Sequence, residues 1–160
     1  MNDTELKELG TLLIKCNSTV AVAESCTGGL LGNWLTNISG SSKYFMGGII
    51  SYSNESKQNV LGVKEDTLIK YGAVSKETAQ EMAKQTCLLF GTTYGLSTTG
   101  IAGPTGGTPE KPVGLVYIGL GTPEKTLYEK HIWTGNRVEN KEYSVIAALH
   151  LLYKHLKSLS

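Results

Sequence analysis

The stretch TVAVAESCTGG, residues 19–29, decides the fold class of this 160-residue chain. Residues 19–24 are β-branched or small up to the final glutamate, a composition typical of a short buried strand. A serine, a cysteine, a threonine and two glycines follow, and residues 30–37 then have helical character. A strand that runs through a turn of small residues into a helix is the layout of many loops that bind phosphate or carry a nucleophile.

The remaining sequence continues this alternation of helices and strands. Helical spacing of apolar residues marks residues 4–16, 55–61, 65–71, 75–90 and 137–157. Strand-like runs occupy residues 44–53, 94–99, 113–121 and 125–134, of which the last two are spaced as a hairpin. No repeat, low-complexity tract or linker divides the chain. The pattern predicts an α/β fold, a single-domain three-layer α/β/α sandwich with a mainly parallel or mixed sheet.

Residue types predict several details of these elements. Thr4, Asn54 and Ser75 stand where helical stretches begin, and all three are types that cap helix N-termini. Cys16 and Cys87 fall on helical patterns, so we expect both in the core. The apolar side of the long middle helix is expected to contain Ala79, Met82, Ala83, Thr86 and Leu89.

The composition excludes several functional classes. Lys and Arg number 15 against 14 Asp and Glu, so the formal net charge of +1 provides no chain-wide electrostatic surface for nucleic acid or membranes. No apolar run reaches the ~18 residues of a membrane span, and the polar N-terminus lacks a secretory signal core. Three cysteines are too few and too widely spaced for a disulfide framework or a thiolate zinc site. We therefore expect a soluble cytoplasmic protein without a metal.

The turn at residues 25–29 is the first candidate site. Ser25 follows a strand and precedes a helix, so its hydroxyl can project into a cleft. The backbone N–H groups of Cys26, Thr27, Gly28 and Gly29 would lie near the helix start and could bind a phosphate or a developing oxyanion. The same residues could instead form a capped helix start without a catalytic role. Cys26 is a rival nucleophile, because a helix N-terminus lowers a thiol pKa.

Two cationic side chains are candidate partners for this turn. Lys57 ends the segment SYSNESK, residues 51–57, and can act as a general base only if burial lowers its pKa from the usual ~10.4. The alternatives are a solvated surface lysine and a lysine that meets Ser53 one helical turn away. Arg137, the single arginine of the chain, lies between a strand and a helix. It can bind a phosphate or carboxylate through two hydrogen bonds, or form an ordinary surface ion pair.

The loop GIAGPTGG, residues 100–107, follows a strand and is a further candidate. Its glycines allow backbone donors to approach a phosphate, a carboxylate or a ribose. A crossover loop that binds no ligand is the alternative, although the Gly-Pro and Lys-Pro pairs of this region are expected to stiffen it.

Together these segments resemble the CinA C-terminal domain family, the nicotinamide-nucleotide amidases. The matching stretches occur in the family's order and cover nearly the whole chain: AESCTGG at 23–29, GSS at 40–42, SYSNESK at 51–57, LGV at 61–63, YGAVS at 71–75, GIAGPTGG at 100–107 and KPVG at 111–114. The resemblance implies one amidase domain over residues 1–160, in the stand-alone form without the N-terminal pyrophosphatase-type domain of longer members. It also implies a homodimer.

The resemblance further implies a reaction of NAD salvage, in which nicotinamide mononucleotide and water give nicotinate mononucleotide and ammonia. Ser25 then matches the family's nucleophile and Lys57 its general base, with no metal or organic cofactor. The expected partner is this small-molecule nucleotide, and neither nucleic acid nor a membrane. The candidate substrate-binding residues are Glu24, Tyr52, Thr99, Gly100, Ala102, Gly103, Gly106, Gly107 and Arg137.

One segment departs from the family pattern. Members often read Gly-Asp-Arg with another arginine a few residues later, whereas this chain has Asn136 before Arg137 and offers Lys141 for the second arginine. Lys141 would supply a point charge without the fork geometry of arginine, which puts phosphate affinity in question. Two other functions therefore stay open. One is a non-catalytic nucleotide-binding or regulatory module of the competence-damage type, and the other is an amidase for a different small amide.

Overall fold

A computed structural model describes residues 1–159, and residue 160, the predicted end of the domain, lies outside the described part. Within these residues the helices are α1 (Asp3–Lys15), α2 (Leu30–Thr36), α3 (Asn54–Asn59), α4 (Glu65–Tyr71), α5 (Lys76–Phe90) and α6 (Arg137–Ser158). The strands are β1 (Val20–Glu24), β2 (Phe45–Ile50), β3 (Tyr94–Gly100), β4 (Leu115–Gly121) and β5 (Thr126–Ile132). A short 3₁₀ helix spans Ser41–Lys43.

The strands form one mixed sheet in the order β2-β1-β3-β4-β5. β1 pairs in parallel with both β2 and β3, whereas β3 with β4 and β4 with β5 are antiparallel. α5 packs across one face of the sheet, and α1, α2 and α6 form the layer on the other face. The predicted α/β/α sandwich with a mixed sheet is confirmed, and β4 and β5 are the predicted hairpin.

Side chains of β1 alternate between two separate cores. Val20 and Val22 join the larger core, together with leucines of α1, α2 and α6. Ala23 points to the opposite face of the sheet, where it packs with Val63 and Met82. Because helices cover both faces, every residue of β1 is buried, as expected for a central strand of an α/β sheet.

The register of the sheet brings segments of three strands together at the carboxyl end of β1. Glu24, the last residue of β1, lies opposite Ile50 in β2 and Thr98 in β3. The residues that follow β1 and β2 therefore emerge side by side, and Ser51 N–H donates to Glu24 O over 2.8 Å. In α/β sheets ligands bind beyond the carboxyl ends of the parallel strands. The turn that begins at Ser25 is thus placed where this fold class holds its ligands.

The structure shifts two of the predicted helix caps by one or two residues. Asn2 rather than Thr4 caps α1, and its side-chain oxygen accepts from Glu5 N–H over 2.9 Å. Ser53 rather than Asn54 caps α3. In both cases the residue that caps precedes the predicted one and belongs to the same group of capping types, so composition alone does not choose between them.

Two side chains predicted in the core are exposed instead. Leu89 in the last turn of α5 is 53% exposed, and Cys16, which caps the C-terminus of α1, is also exposed. Cys87 is half-buried. Helical spacing alone does not show which residues of a last turn reach the sheet. At the end of α5, Phe90 rather than Leu89 lies against it, with its ring 2.8 Å from the position of a Cβ at Gly47 of β2.

Candidate active site

The two side chains paired in the sequence analysis are in contact. Lys57 Nζ lies 2.9 Å from Ser25 Oγ, although the two residues are 32 positions apart in the chain. Ser25 begins the turn after β1, and Lys57 lies in α3, which follows the neighbouring strand β2. Both side chains are buried, and Lys57 is only 1% exposed. The alternative of a solvated surface lysine is therefore wrong.

Burial controls the protonation of Lys57. Desolvation lowers its pKa from 10.5 to about 8. Besides Ser25 Oγ, Nζ approaches Ser51 O at 2.8 Å and Tyr52 O at 3.4 Å. A neutral amine can donate its two hydrogens to these carbonyls while its lone pair accepts the proton of the Ser25 hydroxyl. This is the arrangement of a general base beside a nucleophile.

Local hydrogen bonds explain how α3 presents Lys57. Ser56 N–H donates to Ser53 Oγ over 3.0 Å, and Ser53 N–H donates to Ser56 Oγ over 3.2 Å, which forms a reciprocal capping box. Val63 N–H donates to Lys57 O over 2.9 Å and folds the next loop against the helix. The Ser53 hydroxyl is occupied within the capping box, so it does not form the alternative contact with the Lys57 side chain.

Cys26 also lines the site, but its thiol is not activated. The side chain is buried, and burial raises the pKa of the thiol to about 12. A thiol attacks a carbonyl carbon only as the thiolate. Because Lys57 Nζ is hydrogen-bonded to Ser25, the geometry favours Ser25 over Cys26 as the nucleophile.

The turn offers fewer backbone donors to a ligand than the sequence predicted. Gly28 N–H donates within the turn over 3.2 Å, and Gly29 N–H donates to the Glu24 carboxylate over 3.0 Å. Among residues 1–159, the N–H groups of Cys26 and Thr27 make no hydrogen bond to another residue. Gly28 and Gly29 therefore do not supply the predicted oxyanion donors. They shape the turn instead, with φ values of +61° and +101° that favour glycine.

A cleft of about 260 Å³ opens at the Ser25–Lys57 pair. The predicted site residues in its wall are Ser25, Cys26, Tyr52, Lys57, Thr99, Gly100, Ala102, Gly103, Gly106 and Arg137. The predicted site residues outside its wall are Glu24, Thr27, Gly28, Gly29 and Gly107. The 100–107 loop thus forms one side of the cleft, opposite the segment that carries the dyad.

Glu24 and Gly107 were predicted to bind substrate, and the structure gives both a different role. The Glu24 carboxylate is buried and accepts hydrogen bonds from the backbone at the start of α2. Gly107 packs against the backbone of a later part of the loop, since a Cβ at this position would lie 2.6 Å from Val113 N. Neither residue lines the cleft.

Arg137, the first residue of α6, closes the cleft from the side of the helix layer. Its Nη1 donates to Gly103 O over 2.7 Å, and its Nη2 donates to Tyr52 Oη over 3.1 Å. These bonds connect α6 with the 100–107 loop and with the segment that follows β2. A guanidinium carries five N–H donors, so further donors of Arg137 can bind an anionic ligand.

Five residues of the cleft wall were not predicted from the sequence, namely Asn54, Ala73, Val74, Ile101 and Thr105. Asn54 lies in the segment SYSNESK, and Ala73 and Val74 lie in YGAVS, so the quoted motifs contained the signal that could have found them. Thr99 Oγ1 donates to Ala73 O over 2.7 Å and holds this segment against β3. Small apolar side chains carry no chemical signature, and only the tertiary structure brings them to the cleft.

The charge at the cleft is positive. Its wall contains Lys57 and Arg137 and no Asp or Glu. Lys141, one helical turn after Arg137, places its Nζ 3.8 Å from the position that a Cβ at Gly28 would occupy. No described carboxylate forms an ion pair with any of these three cations. The site is therefore electrostatically suited to an anionic ligand.

Residues 1–159 bring together no group of three His, Cys, Asp or Glu side chains that could hold a metal ion. Over the same residues, no helix has both the length and the apolar character needed to cross a membrane.

The sequence matches a known family. A family model described as the CinA C-terminal domain matches residues 2–156 of the chain. The chain belongs to the CinA C-terminal domain family. The resemblance inferred from the sequence motifs is confirmed.

Relatives of this CinA domain share about half of its residues. A CinA-like protein of Leptospira interrogans is 50% identical over 155 residues, which cover 96% of this chain and 37% of the relative. A CinA-like protein of Endomicrobium trichonymphae is 50% identical over 155 residues, which cover 97% of this chain and 36% of the relative. The CinA domain therefore spans little more than a third of the length of these curated relatives.

Solved structures share the fold of this CinA domain. A CinA superfamily protein from Klebsiella pneumoniae superposes with a TM-score of 0.93 at 28% identity, over 97% of both chains. A competence/damage inducible protein from Agrobacterium tumefaciens superposes with a TM-score of 0.88 at 36% identity, over 96% of both chains. These names refer to competence and damage and specify no reaction.

Proposed function

We propose that this CinA domain is an amidase that hydrolyses the carboxamide of nicotinamide mononucleotide to nicotinate mononucleotide and ammonia. One observation carries the proposal: the hydrogen bond between Ser25 Oγ and Lys57 Nζ, with Lys57 buried and its pKa lowered to about 8. A protein that only bound nucleotides would gain nothing from a desolvated lysine amine beside a serine hydroxyl. Acyl transfer to a serine requires a base that takes the hydroxyl proton, and Lys57 can supply it.

The geometry supports a two-step reaction. Neutral Lys57 accepts the Ser25 proton as Oγ attacks the carboxamide carbon, and the carbonyl oxygen becomes an oxyanion that the Cys26 N–H group can stabilise. When the C–N bond breaks, Lys57 returns the proton to the leaving ammonia. A water molecule then attacks the Ser25 ester, with Lys57 again accepting a proton. The ester C–O bond breaks, Lys57 returns the proton to Ser25 Oγ, and the carboxylic acid product leaves and loses its proton to solvent.

The proposed substrate also fits the charge of the cleft. A nucleotide carries a phosphate, and the cations Arg137 and Lys141 lie on one face of α6 beside a wall without carboxylates. The carboxamide would then lie at Ser25 and the phosphate near α6. The three free cysteines suit a reducing compartment, so we place the reaction in the cytoplasm.

The direct test is ammonia release from nicotinamide mononucleotide by the purified protein. We expect release from the nucleotide and little from free nicotinamide, which lacks the ribose and the phosphate that the cleft would bind. Nicotinamide riboside serves as the control that differs only by the phosphate. Absence of release by folded protein would contradict the amidase and favour a binding module. Release from an unrelated amide but not from the nucleotide would show that the substrate is a different small amide.

A lysine variant tests the position of the phosphate. Replacing Lys141 with methionine is expected to raise KM for the nucleotide about fivefold, the effect of losing ~1 kcal/mol from a partly exposed ion pair, with kcat little changed. KM for nicotinamide riboside should not change, because the lost charge has no phosphate to bind.

The matched control for this variant is Lys154→Met, which removes the same charge from the same helix roughly 20 Å away. Lys154 is exposed and should leave both KM values unchanged. An equal rise in KM with Lys154→Met, or with the riboside as substrate, would show that net charge rather than a local contact is responsible.

A further inference from the structure

Glu24 is a buried carboxylate next to the nucleophile. It is 1% exposed, and it lies outside the wall of the cleft. Its two oxygens accept four hydrogen bonds, all from the segment that follows it. The donors are the Thr27 hydroxyl at 2.6 Å and the backbone N–H groups of Gly29 at 3.0 Å, Leu31 at 3.0 Å and Gly32 at 2.8 Å.

This carboxylate replaces a missing helix cap. α2 begins after Gly29, which has no side chain to satisfy the first N–H groups of the helix. Glu24 satisfies them from the end of β1 instead, and its negative charge is favourable at the positive end of a helix. The end of β1 and the start of α2 are thus joined directly, across the turn that carries Ser25.

The same turn is also held by β3. Thr27 Oγ1 lies 2.7 Å from Thr98 Oγ1, so the Glu24 carboxylate and the two threonine hydroxyls form a buried chain. Ser25 N–H donates to Thr98 O over 2.9 Å. The backbone of the turn is therefore fixed at both sides before any ligand binds.

These bonds determine which backbone N–H groups of the turn remain without a hydrogen-bond acceptor. Ser25 donates to β3, Gly28 donates within the turn and Gly29 donates to Glu24. Only Cys26 and Thr27, of residues 25–29, have N–H groups that bond to no other described residue. Cys26 lines the cleft, whereas Thr27 is fully buried outside its wall, so the Cys26 N–H is the donor that an oxyanion at Ser25 can reach.

We propose that Glu24 is a positioning residue: through Thr27 and the start of α2, it holds the turn so that the Cys26 amide stays free for the oxyanion beside Ser25. The inference rests on the proposed amidase function. Glu24 touches no substrate. Its loss should therefore affect the transition state, in which the oxyanion exists, far more than substrate binding.

The test is Glu24→Gln, which preserves the shape of the side chain but turns one acceptor oxygen into an NH₂ donor that faces a backbone N–H. We expect kcat for ammonia release to fall about 10²-fold, as for the loss of an oxyanion donor, with KM changed less than about twofold. Amide hydrogen exchange at Gly29, Leu31 and Gly32 should become faster.

The control is Glu5→Gln, because Glu5 is also a capping carboxylate and accepts from Asn2 N–H over 2.9 Å at the start of α1. It should weaken the start of α1 without lowering kcat. Thr27→Val, which removes the link between Glu24 and Thr98, should also lower kcat, and Thr27→Ser should recover most of the loss. This pair decides the question if Glu24→Gln does not fold.

The outcomes separate the two proposals. Wild-type protein that releases no ammonia contradicts the amidase function, and hydrogen exchange then still reports whether Glu24 holds the turn. The positioning role is overturned if wild-type protein is active and Glu24→Gln or Thr27→Val keeps its kcat. It is also overturned if Glu5→Gln lowers kcat as much as Glu24→Gln, because a general loss of stability would then explain both.

Discussion

Ser25→Ala is expected to lower ammonia release from nicotinamide mononucleotide by about 10³-fold or more, in line with the loss of the nucleophile in other acyl-transfer enzymes. The variant removes the oxygen that lies 2.9 Å from Lys57 Nζ and leaves the cleft otherwise intact. KM should change little, because the substrate is bound mainly through its other groups. The measurement is steady-state ammonia release by protein shown to be folded.

Cys26→Ala is the matched comparison, since it changes the adjacent side chain of the same turn. The Cys26 thiol, with a pKa raised to about 12 by burial, is protonated at neutral pH. We therefore expect this variant to lose less than about tenfold in kcat, a loss from repacking rather than from chemistry. The reverse pattern, an inactive Cys26→Ala and an active Ser25→Ala, would identify a thiol enzyme and contradict the serine mechanism.

Lys57 should impose a pH dependence on the reaction. Its pKa is lowered to about 8, so the fraction of neutral amine rises as the pH increases through this value. The ratio kcat/KM is expected to rise about tenfold per pH unit below pH ~8 and to level off above it. Arginine stays protonated throughout this range, so Lys57→Arg should be inactive even at pH ~9, and Lys57→Met should be inactive as well.

An exposed lysine provides the control for these variants. Lys64 lies in the loop after α3 and is exposed, so Lys64→Met should reproduce the wild-type pH profile. A wild-type profile that is flat or falls between pH ~6 and pH ~9 would contradict a lysine base. Retention of activity by Lys57→Met would contradict it independently of pH.

The sequence predicted most of the fold because its signals are local. Alternating helical and strand periods identified the α/β sandwich, and small-residue turns identified the ends of β1 and β3. The errors arose where neighbouring residues offer the same chemistry, as with Ser53 and Asn54, which are both good helix caps. Leu89 fits the helical period of α5, yet nothing local shows that Phe90 rather than Leu89 lies against β2.

Glu24 shows why the site was harder to predict than the fold. A carboxylate beside a serine in a turn is compatible with substrate binding, and its residue type does not distinguish that role from a structural one. The structure decides the question, because the start of α2 occupies both oxygens. One of these bonds occupies the Gly29 N–H, so Gly29 is not an oxyanion donor. No pattern in the sequence could indicate this.

The sequence by itself determined the class of fold, the family and the identity of Ser25 and Lys57 as candidate nucleophile and base. Only the tertiary structure decided that these side chains meet, that Lys57 is buried and that two amides of the turn stay unbonded. The physical reason is the sheet order, which places β2 beside β1 and so brings α3 against the turn after β1. Burial, and with it the lowered pKa of Lys57, exists only after that assembly.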